Sequence, residues 1–503
     1  SMDFDISNEV YFQPYHYSVR GYYYMRIGEP IVPHVNPVPR QPQFISGKSP
    51  EGFVIYKTDL HPWHPDWRKI RGDVWDEPHH IMPEESEFLK HRLPGNPITY
   101  DIVGGHSDAF DWDRHLAHVS NIYDLLLPFL LTNGRLTEDN LSIRESGNGI
   151  PDIIDEARNE VDFFLSIRDG EAYSQGVTNP TKDWSMMFQA GCTTMAAWAN
   201  AANCAILGEA FRINGNKELC DYYTAEAIKA YNFASKQENH RLDDMQDVGS
   251  ARMRGRDFRQ MAAAFLYNLT GDRKWEDLMV EESMIKSNTS LLFSKDFRSS
   301  YYQIWAAAAY LICPQERHYP EFYANLKASI NAQADQNNVN HMFTRPSRRT
   351  ANDSRWQTSE NLQLVMMAHY IADSAERKAL LEKAMYMEAG WGLGRNPSNM
   401  VEMTGLGERH IENCYTTGRN DGVPGVHPGQ TPFNGTETWS PGHNGGDASF
   451  VLALCYPKWD TNVWPSQESY FNNRYMWVLG EFTPRETMRG KMALLGYLYG
   501  IRK

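Results

Sequence analysis

Residues 150–165 run IPDIIDEARNEVDFFL, and this stretch decides the fold class. Its apolar side chains recur at helical spacing, at Ile150, Ile154, Ala157, Val161, Phe164 and Leu165. A proline stands near the first turn, and acidic residues follow it at the positive end of the helix dipole. The stretch therefore predicts a helix that buries a single stripe of side chains.

Similar patterns continue along the chain. They recur near 113–131, 187–211, 217–236, 255–270, 299–313, 320–334, 357–373, 376–391 and 485–500. No sequence period repeats, and strand-like alternation is sparse. The pattern indicates an all-α fold in which helical hairpins form a closed toroid, with long loops gathered at one end around a cleft.

The first hundred residues have a different character. Residues 10–25 are rich in tyrosine at helical spacing, and a stretch rich in proline and histidine follows from Gly28 to about Pro97. Its Trp, His and Phe side chains are too apolar for a flexible linker. We therefore expect residues 1–100 to be a helix and ordered loops that pack on a catalytic domain formed by residues 101–503.

Composition excludes several classes of function. The 503 residues carry 63 acidic and 49 basic side chains, and the net charge of −14 disfavours binding to nucleic acid, which needs a basic surface. No apolar run could span a bilayer, so no membrane partner is expected. The six cysteines form no CxxC pair, which makes a zinc ribbon unlikely. A neutral substrate fits this composition better.

Three carboxylates lie within six residues in the stretch Gly104-Gly105-His106-Ser107-Asp108-Ala109-Phe110-Asp111-Trp112-Asp113. We expect a helix to begin near Arg114, so one interpretation is that Asp111 or Asp113 caps it. The other is that two of the carboxylates hold and deprotonate a water molecule.

Glu468 is an isolated acid among aromatic and amide side chains, in the stretch Trp464-Pro465-Ser466-Gln467-Glu468-Ser469-Tyr470. Such surroundings disfavour the ionised carboxylate, which would keep Glu468 protonated and able to donate a proton. A structural ion pair with Arg474 is the alternative.

These motifs resemble glycoside hydrolase family 9, which includes many cellulases. The family places an Asp-Ala-Gly-Asp motif after a Gly-Gly pair, and here Gly104-Gly105 leads into Asp108-Ala109-Phe110-Asp111. The stretch 147–157 is similar to the family's Ile-Pro-Asp-Ile-Leu-Asp-Glu-Ala helix, and Gly394-Arg395-Asn396-Pro397 leads into Thr404–Arg409 as in the family.

The resemblance implies an (α/α)6 toroid and an inverting glycoside hydrolase that cleaves a β-linked glucan or related oligo- or polysaccharide. Asp111 would be the general base, Asp108 would help to hold the water, and Glu468 would be the general acid. Inversion requires these acid and base carboxyls to stand roughly 6.5–9.5 Å apart. Substrate contacts are expected from His106, Trp112, Trp356, Arg409, His410, Tyr415, Trp464 and Tyr470, although Trp356 is equally suited to the core.

The chain departs from the family pattern in its sugar-binding motifs. Phe110 replaces the glycine, and after Arg409 the family's His-x-Arg element gives way to the stretch His410–Arg419. A loop dense in turn formers, residues 421–433, is expected to close one end of the cleft. A β-glucosidase or β-glucosaminidase type of exo enzyme is therefore an alternative, and a polysaccharide lyase or a non-catalytic sugar-binding relative is a second one.

No metal site is predicted, although the histidines of this chain suggest one. His61, His64, His79, His80, His115 and His118 are better explained as polar groups of loops and helix surfaces, because no recognisable spacing supplies a third ligand. No cofactor is required, but the family resemblance leaves a structural calcium ion possible, for which Asp243–Asp247 is the candidate. Ser1-Met2 resembles a cloning remnant, so we expect a native leader to have preceded it and the protein to be secreted or periplasmic.

Overall fold

The computed structural model gives bounds for twelve α-helices and nine short strands. It describes residues 7–28, 54–66, 89–95, 98–99, 102–107, 114–178, 186–248, 251–296, 298–336, 356, 360–412, 414, 427–432, 456–457, 480, 482–484 and 491–503. The helices are α1 (Phe12–Tyr24), α2 (Ser120–Leu131), α3 (Asp152–Ser166), α4 (Thr194–Asn214), α5 (Lys217–Ser235), α6 (Gly255–Thr270), α7 (Arg273–Glu281), α8 (Ile304–Leu311), α9 (Pro320–Gln336), α10 (Glu360–Tyr370), α11 (Ala375–Gly392) and α12 (Lys491–Gly500).

Six of these helices form a closed inner ring: α2, α4, α6, α8, α10 and α12. Each packs against the next, and α12 closes the ring by packing against α2. Every residue of α2, α8 and α12 is buried. A helix that is apolar on all sides has to lie inside a protein, so this ring forms the core.

The other six helices lie outside the ring, and several of them bury one stripe of side chains. On α5 the buried residues are Tyr223, Ala227, Ala230, Tyr231 and Ala234, which follow helical spacing. α1 packs against α12, α7 against α6 and α9 against α10. Outer and inner helices alternate along the chain, which makes the fold an (α/α)6 toroid. The predicted all-α fold class is confirmed, and the helix predicted from residues 150–165 is α3. Its single buried stripe is wrong, because α3 also buries Asp152, Asp155, Glu156 and Glu160 on its other sides.

Short strands precede four inner helices. A five-stranded sheet has the order β2 (Ile98–Thr99), β1 (Val54–Lys57), β5 (Met186–Gln189), β4 (Gly176–Thr178) and β3 (Arg114–His115). Two hairpins pair β6 (Met245–Val248) with β7 (Ala251–Arg254) and β8 (Phe293–Ser294) with β9 (Tyr301–Tyr302). Because β3, β5, β7 and β9 come just before α2, α4, α6 and α8, the strands gather where the inner helices begin.

Sequence analysis missed these strands and one helix. The patterns predicted to be helical from about 113, 187 and 299 begin with β3, β5 and β9, and their helices start later. Strands of two to four residues leave too few alternating positions to be distinguished from a helix. The N-terminal stretch predicted as loops contributes β1, whose partner β5 is far away in sequence. The missed helix, α7, buries only Trp275, Glu276 and Met279.

No helix in the described parts of the chain combines the length and the apolar character that crossing a membrane requires.

Candidate active site

The segment that leads into the Asp108–Asp111 motif is held against the end of α1. The Gly104 N–H donates to the Ile27 carbonyl (2.8 Å), and the Ser107 N–H donates to the Met25 carbonyl (2.9 Å). Gly104 has φ +92°, and a Cβ atom there would lie 3.1 Å from the Asn159 carbonyl oxygen. A glycine is therefore required at this position, and the chain enters the motif from a fixed position.

His106 is the centre of a buried ionic network. Its Nδ1 lies 2.6 Å from Glu160 Oε2 and its Nε2 lies 2.8 Å from Glu156 Oε1, and neither His106 nor the two glutamates expose any side-chain surface. Arg26 donates to both oxygens of Glu156, at 3.0 and 2.8 Å, and to Glu145 at 3.0 Å. Two cations therefore share three carboxylates beneath this segment.

The carboxylates keep His106 charged. Burial alone would lower the pKa of His106, but the hydrogen bonds and charges of Glu156 and Glu160 outweigh it and raise the pKa to about 9. Burial alone would raise the pKa of Glu156, yet Arg26 and His106 hold it below its ordinary value. The imidazolium therefore donates from both ring nitrogens at neutral pH.

α3 supplies these glutamates and also fixes the loop before it. Asp152 Oδ2 accepts from the Leu141 N–H and from the Ser146 hydroxyl, both at 2.6 Å. Asp155 accepts from Asn148 Nδ2 at 2.8 Å. The acidic residues in the first turns of α3 thus organise the structure around the helix in addition to favouring its positive end.

The far side of the motif is fixed as well. Arg114 and His115 pair with Val177 and Gly176, and the Leu116 N–H donates to the Gln175 carbonyl at 3.1 Å. His115 is the N-cap of the short 3₁₀ helix Leu116–Val119, where its Nδ1 accepts from the Ala117 N–H (3.3 Å). The cap of this helical segment is thus a histidine, and α2 continues from it at Ser120.

A family model described as Glycosyl hydrolase family 9 matches residues 11–439. The chain belongs to this family. It is therefore a glycoside hydrolase, and the family predicted from the sequence motifs is confirmed.

Solved structures of family 9 proteins share this fold. A Bacteroides ovatus GH9 protein superposes with a TM-score of 0.69 at 16% identity, covering 99% of this chain and 84% of that chain. A metagenome-derived family 9 endoglucanase gives 0.66 at 19% identity, covering 98% and 81%. AaCel9A in complex with cellobiose-like isofagomine gives 0.62 at 14% identity, covering 98% and 84%.

A curated relative matches only a short part of this family 9 chain. Cellulose 1,4-beta-cellobiosidase of Acetivibrio thermocellus is 27% identical over 116 residues, which are 20% of this chain and 13% of that protein. The match therefore spans far less than two thirds of the relative's length.

Most predicted site residues of this hydrolase lie outside the described residues. These are Asp108, Asp111, Trp112, Tyr415, Trp464, Glu468 and Tyr470. The structure does describe the four remaining ones, His106, Trp356, Arg409 and His410.

Two of the four cannot contact substrate as predicted. His106 has no exposed surface and spends both ring nitrogens on Glu156 and Glu160, so its predicted substrate contact is wrong. Trp356 is also fully buried, and its indole ring packs where a Cβ on Gly392 would stand. Of the two roles considered for Trp356, the core role is the one the structure supports.

Arg409 and His410 remain accessible. Arg409 is exposed and His410 is half-buried, and backbone hydrogen bonds join this segment to Val401 on both sides. His410 Nδ1 lies 2.7 Å from the Ile411 carbonyl oxygen, which orients its ring. Among the described residues, neither side chain hydrogen-bonds to His106 or Trp356.

Two ionisable residues of the interior, Lys491 and His118, had no signal in the sequence. Lys491 is fully buried at the start of α12, where burial drives its pKa well below the ordinary value although Asp124 and Glu402 oppose the shift. His118, predicted to lie on a helix surface, is also fully buried, and its ring centre stands 4.4 Å from that of His115. Both residues sit in otherwise apolar helical patterns, which hide a buried polar group from sequence analysis.

Proposed function

We propose that this family 9 enzyme cleaves a β-linked glucan or a related oligosaccharide with inversion of the anomeric centre. In this proposal Asp111 is the general base, Asp108 helps to hold the attacking water, and Glu468 is the general acid. The acid protonates the leaving oxygen while the base deprotonates the water on the opposite face of the sugar. Two carboxylates and a water suffice for this chemistry, so no organic cofactor is needed.

The observation that carries the proposal is the cap of the helical segment after the motif. The sequence left open whether Asp111 or Asp113 caps a helix near Arg114, but His115 caps it. The carboxylates of the motif are therefore not required for that structural role, and catalysis is the remaining use that the family motif suggests. The segments on both sides of the motif, up to Ser107 and from Arg114, are held by backbone hydrogen bonds.

Product analysis by proton NMR tests this mechanism on β-glucan, xyloglucan and glucosamine oligomers. We expect inverted products, and we expect Asp111→Asn and Glu468→Gln each to lower kcat by about 10²- to 10⁴-fold. Asp113→Asn is the matched control in the same stretch of sequence and should keep most of the wild-type activity. Retained configuration would overturn the mechanism, and full activity of Asp111→Asn would move the base to Asp108 or Asp113.

A second candidate function, exo cleavage, is favoured by the loop predicted to close the cleft. Residues 427–432 of this loop are fixed: the Gly429 N–H donates to the Thr404 carbonyl (3.0 Å), and the Gln430 N–H donates to Thr404 Oγ1 (2.8 Å). The ring of His427 packs at a tilt against the ring of Tyr24 of α1, with 4.8 Å between centres. A loop anchored in this way is suited to blocking one end of a cleft. Products of one size from a long polymer would support exo cleavage, and a ladder of products would exclude it.

The remaining predictions about this enzyme are proposals of the same kind. The domain division at residue 100, secretion or export to the periplasm, and a structural calcium ion all stay predictions. For calcium, the described candidate is weakened because Arg256 holds both oxygens of Asp243, at 3.1 and 2.5 Å. Membership of a glycoside hydrolase family favours hydrolysis over the lyase and the non-catalytic alternatives.

A further inference from the structure

Asp59, His64 and His91 form a cluster on the N-terminal part of the chain, apart from the family motif. One potential ligand atom from each residue lies within 4.8 Å of the other two. Within the described part of the chain, this is the one cluster of at least three His, Cys, Asp or Glu side chains close enough to share a metal ion. No metal site was predicted from the sequence, because no recognisable spacing supplies further ligands to a histidine such as His64. The structure supplies two, from positions too far apart in sequence to form a recognisable spacing.

Backbone pairing brings the three residues together. The Asp59 N–H donates to the His91 carbonyl (3.1 Å), and the Leu93 N–H donates to the Lys57 carbonyl (3.0 Å), so the two segments run antiparallel. Residues directly opposite on paired segments place their side chains next to each other. His64 returns to the pair through a turn in which its N–H donates to the His61 carbonyl (2.8 Å). The cluster therefore rests on hydrogen-bonded backbone at both segments.

The side chains are oriented as a metal site needs them. His91 Nδ1 lies 2.9 Å from Asp59 Oδ1, and its other nitrogen, Nε2, faces Asp66 Oδ2 at 3.8 Å. A carboxylate behind a ligating histidine is the usual way in which proteins fix the ring and raise its basicity. The side chain of Asp59 is 53% exposed, and a cleft of about 390 Å³ lined by Asp59, His61 and His64 opens beside it. An ion can therefore reach the cluster from solvent.

We propose that Asp59, His64 and His91 bind a divalent transition-metal ion of the zinc class. Two imidazole nitrogens and one carboxylate oxygen suit Zn²⁺, Co²⁺ or Ni²⁺, whereas Ca²⁺ and Mg²⁺ prefer oxygen ligands throughout. In a tetrahedral zinc site with bonds of about 2.0–2.1 Å the ligand atoms stand roughly 3.3 Å apart, so small side-chain rotations close the cluster. Water supplies the fourth ligand.

Binding of a metal ion would cost one hydrogen bond to His64. The Asp66 N–H donates to His64 Nδ1 at 3.1 Å. A neutral imidazole that binds metal through one nitrogen carries its proton on the other, so ligation at either nitrogen gives up this hydrogen bond. The bond between His91 Nδ1 and Asp59 is replaced by the shared ion. The ion cross-links residues 54–66 to residues 89–95, which is a structural role and requires no change in the hydrolytic mechanism.

Calorimetric titration of the EDTA-stripped full chain with Zn²⁺ tests the site. We expect one ion per chain, and at least tenfold weaker binding in Asp59→Asn, His64→Gln and His91→Gln. His61→Gln is the matched control, because His61 lies in the same turn outside the cluster, and its affinity should equal that of the wild type. Unchanged affinity in the three variants, or no binding by the wild type, would overturn the proposal.

Cobalt spectroscopy makes the test independent of variant folding. Co²⁺ added to the wild-type chain should give the intense visible bands of tetrahedral coordination, and Zn²⁺ should abolish them in a one-to-one titration. Bands of octahedral intensity only, unchanged by Zn²⁺, would show that the three residues do not form the site. Hydrolytic activity is measured in the same samples, so that loss of the catalytic function and loss of the metal site are told apart.

Discussion

Two histidine clusters in this enzyme use the same side chains in opposite ways. His106 lies between Glu156 and Glu160 without any contact with solvent, whereas His91, which is 15% exposed, lies between the more exposed carboxylates of Asp59 and Asp66. A buried carboxylate must be neutralised by a cation, so the first cluster keeps its imidazole charged. An exposed carboxylate is already stabilised by water, so the second leaves its imidazoles available to a metal. Burial, more than residue type, separates an ionic support from a binding site.

The largest effect is expected when the buried cluster loses a charge. Glu156→Gln keeps the shape of the side chain but leaves Arg26 and His106 with one carboxylate fewer, and we expect a loss of about 3–5 kcal/mol in the free energy of unfolding. Urea unfolding followed by both fluorescence and circular dichroism measures it, since coincident curves are needed for a two-state free energy.

The matched control for this loss is an exposed carboxylate. Glu281→Gln removes one of the two carboxylates that pair with Arg241, which keeps Glu282, and both Arg241 and Glu281 are more than half exposed. It should cost about 0–1 kcal/mol. Equal losses in the two variants would contradict the distinction between buried and exposed clusters.

The same distinction explains which features the sequence predicts. The helix α3 and the ring of apolar helices follow from the spacing of apolar residues, which is a local pattern and can be read along each helix. The Asp108–Asp111 motif was recognised as a short contiguous pattern. Burial of His106 is not local in this sense, because it depends on glutamates of α3 and on Arg26, which follows α1. His106 was therefore predicted to contact substrate when it supports the segment before the motif.

The surface cluster could not be predicted for a related reason. Asp59 and His91 meet because β1 continues into a segment that pairs with residues 91–93, and a pairing this short leaves little trace in the sequence. His64 was noticed, but its partners lie in another segment. Contacts between distant short segments are what sequence periodicity leaves undetermined.

A second prediction concerns the pH dependence of stability. The pKa of His106 rises from 6.5 to about 9 on folding, so its stabilising contribution is complete below pH 6.5 and is lost as the pH rises through 9. The rise corresponds to at most about 3 kcal/mol. Burial also raises the pKa values of Asp152, Asp155 and Asp257, to about 7, 6 and 7, but these groups titrate in the wild type and in a His106 variant alike.

Unfolding of the wild type and of His106→Gln between pH 7.5 and 10 isolates this contribution. The stability difference between them should shrink as the pH rises. A constant difference over this range would mean that the charge of His106 is not what stabilises the cluster.

Zinc should stabilise the enzyme with the opposite dependence on pH. An ion that binds the folded chain alone adds about 2.7 kcal/mol at a concentration of one hundred times Kd. Protons compete with a metal for histidine ligands, so the increment should be smaller at acidic pH than at neutral pH. Thermal unfolding with and without Zn²⁺ at pH 5.5 and 7.5 measures it, and in His64→Gln, with at least tenfold weaker binding, the increment should not exceed about 1.4 kcal/mol. An equal shift of the unfolding temperature at both pH values would mean that zinc does not stabilise the enzyme through these histidines.

The smallest effect is expected for the surface cluster without metal. In EDTA, His91→Gln breaks the contact with Asp59, but that carboxylate is about half exposed and water replaces the lost partner. The loss in the free energy of unfolding should therefore stay below about 1 kcal/mol, several times smaller than for Glu156→Gln. The same substitution in excess Zn²⁺ should cost more, because the wild type alone then gains the energy of binding. If His91→Gln cost several kcal/mol in EDTA, the surface pair would be a structural element comparable to His106, and exposure would not be what distinguishes the two clusters.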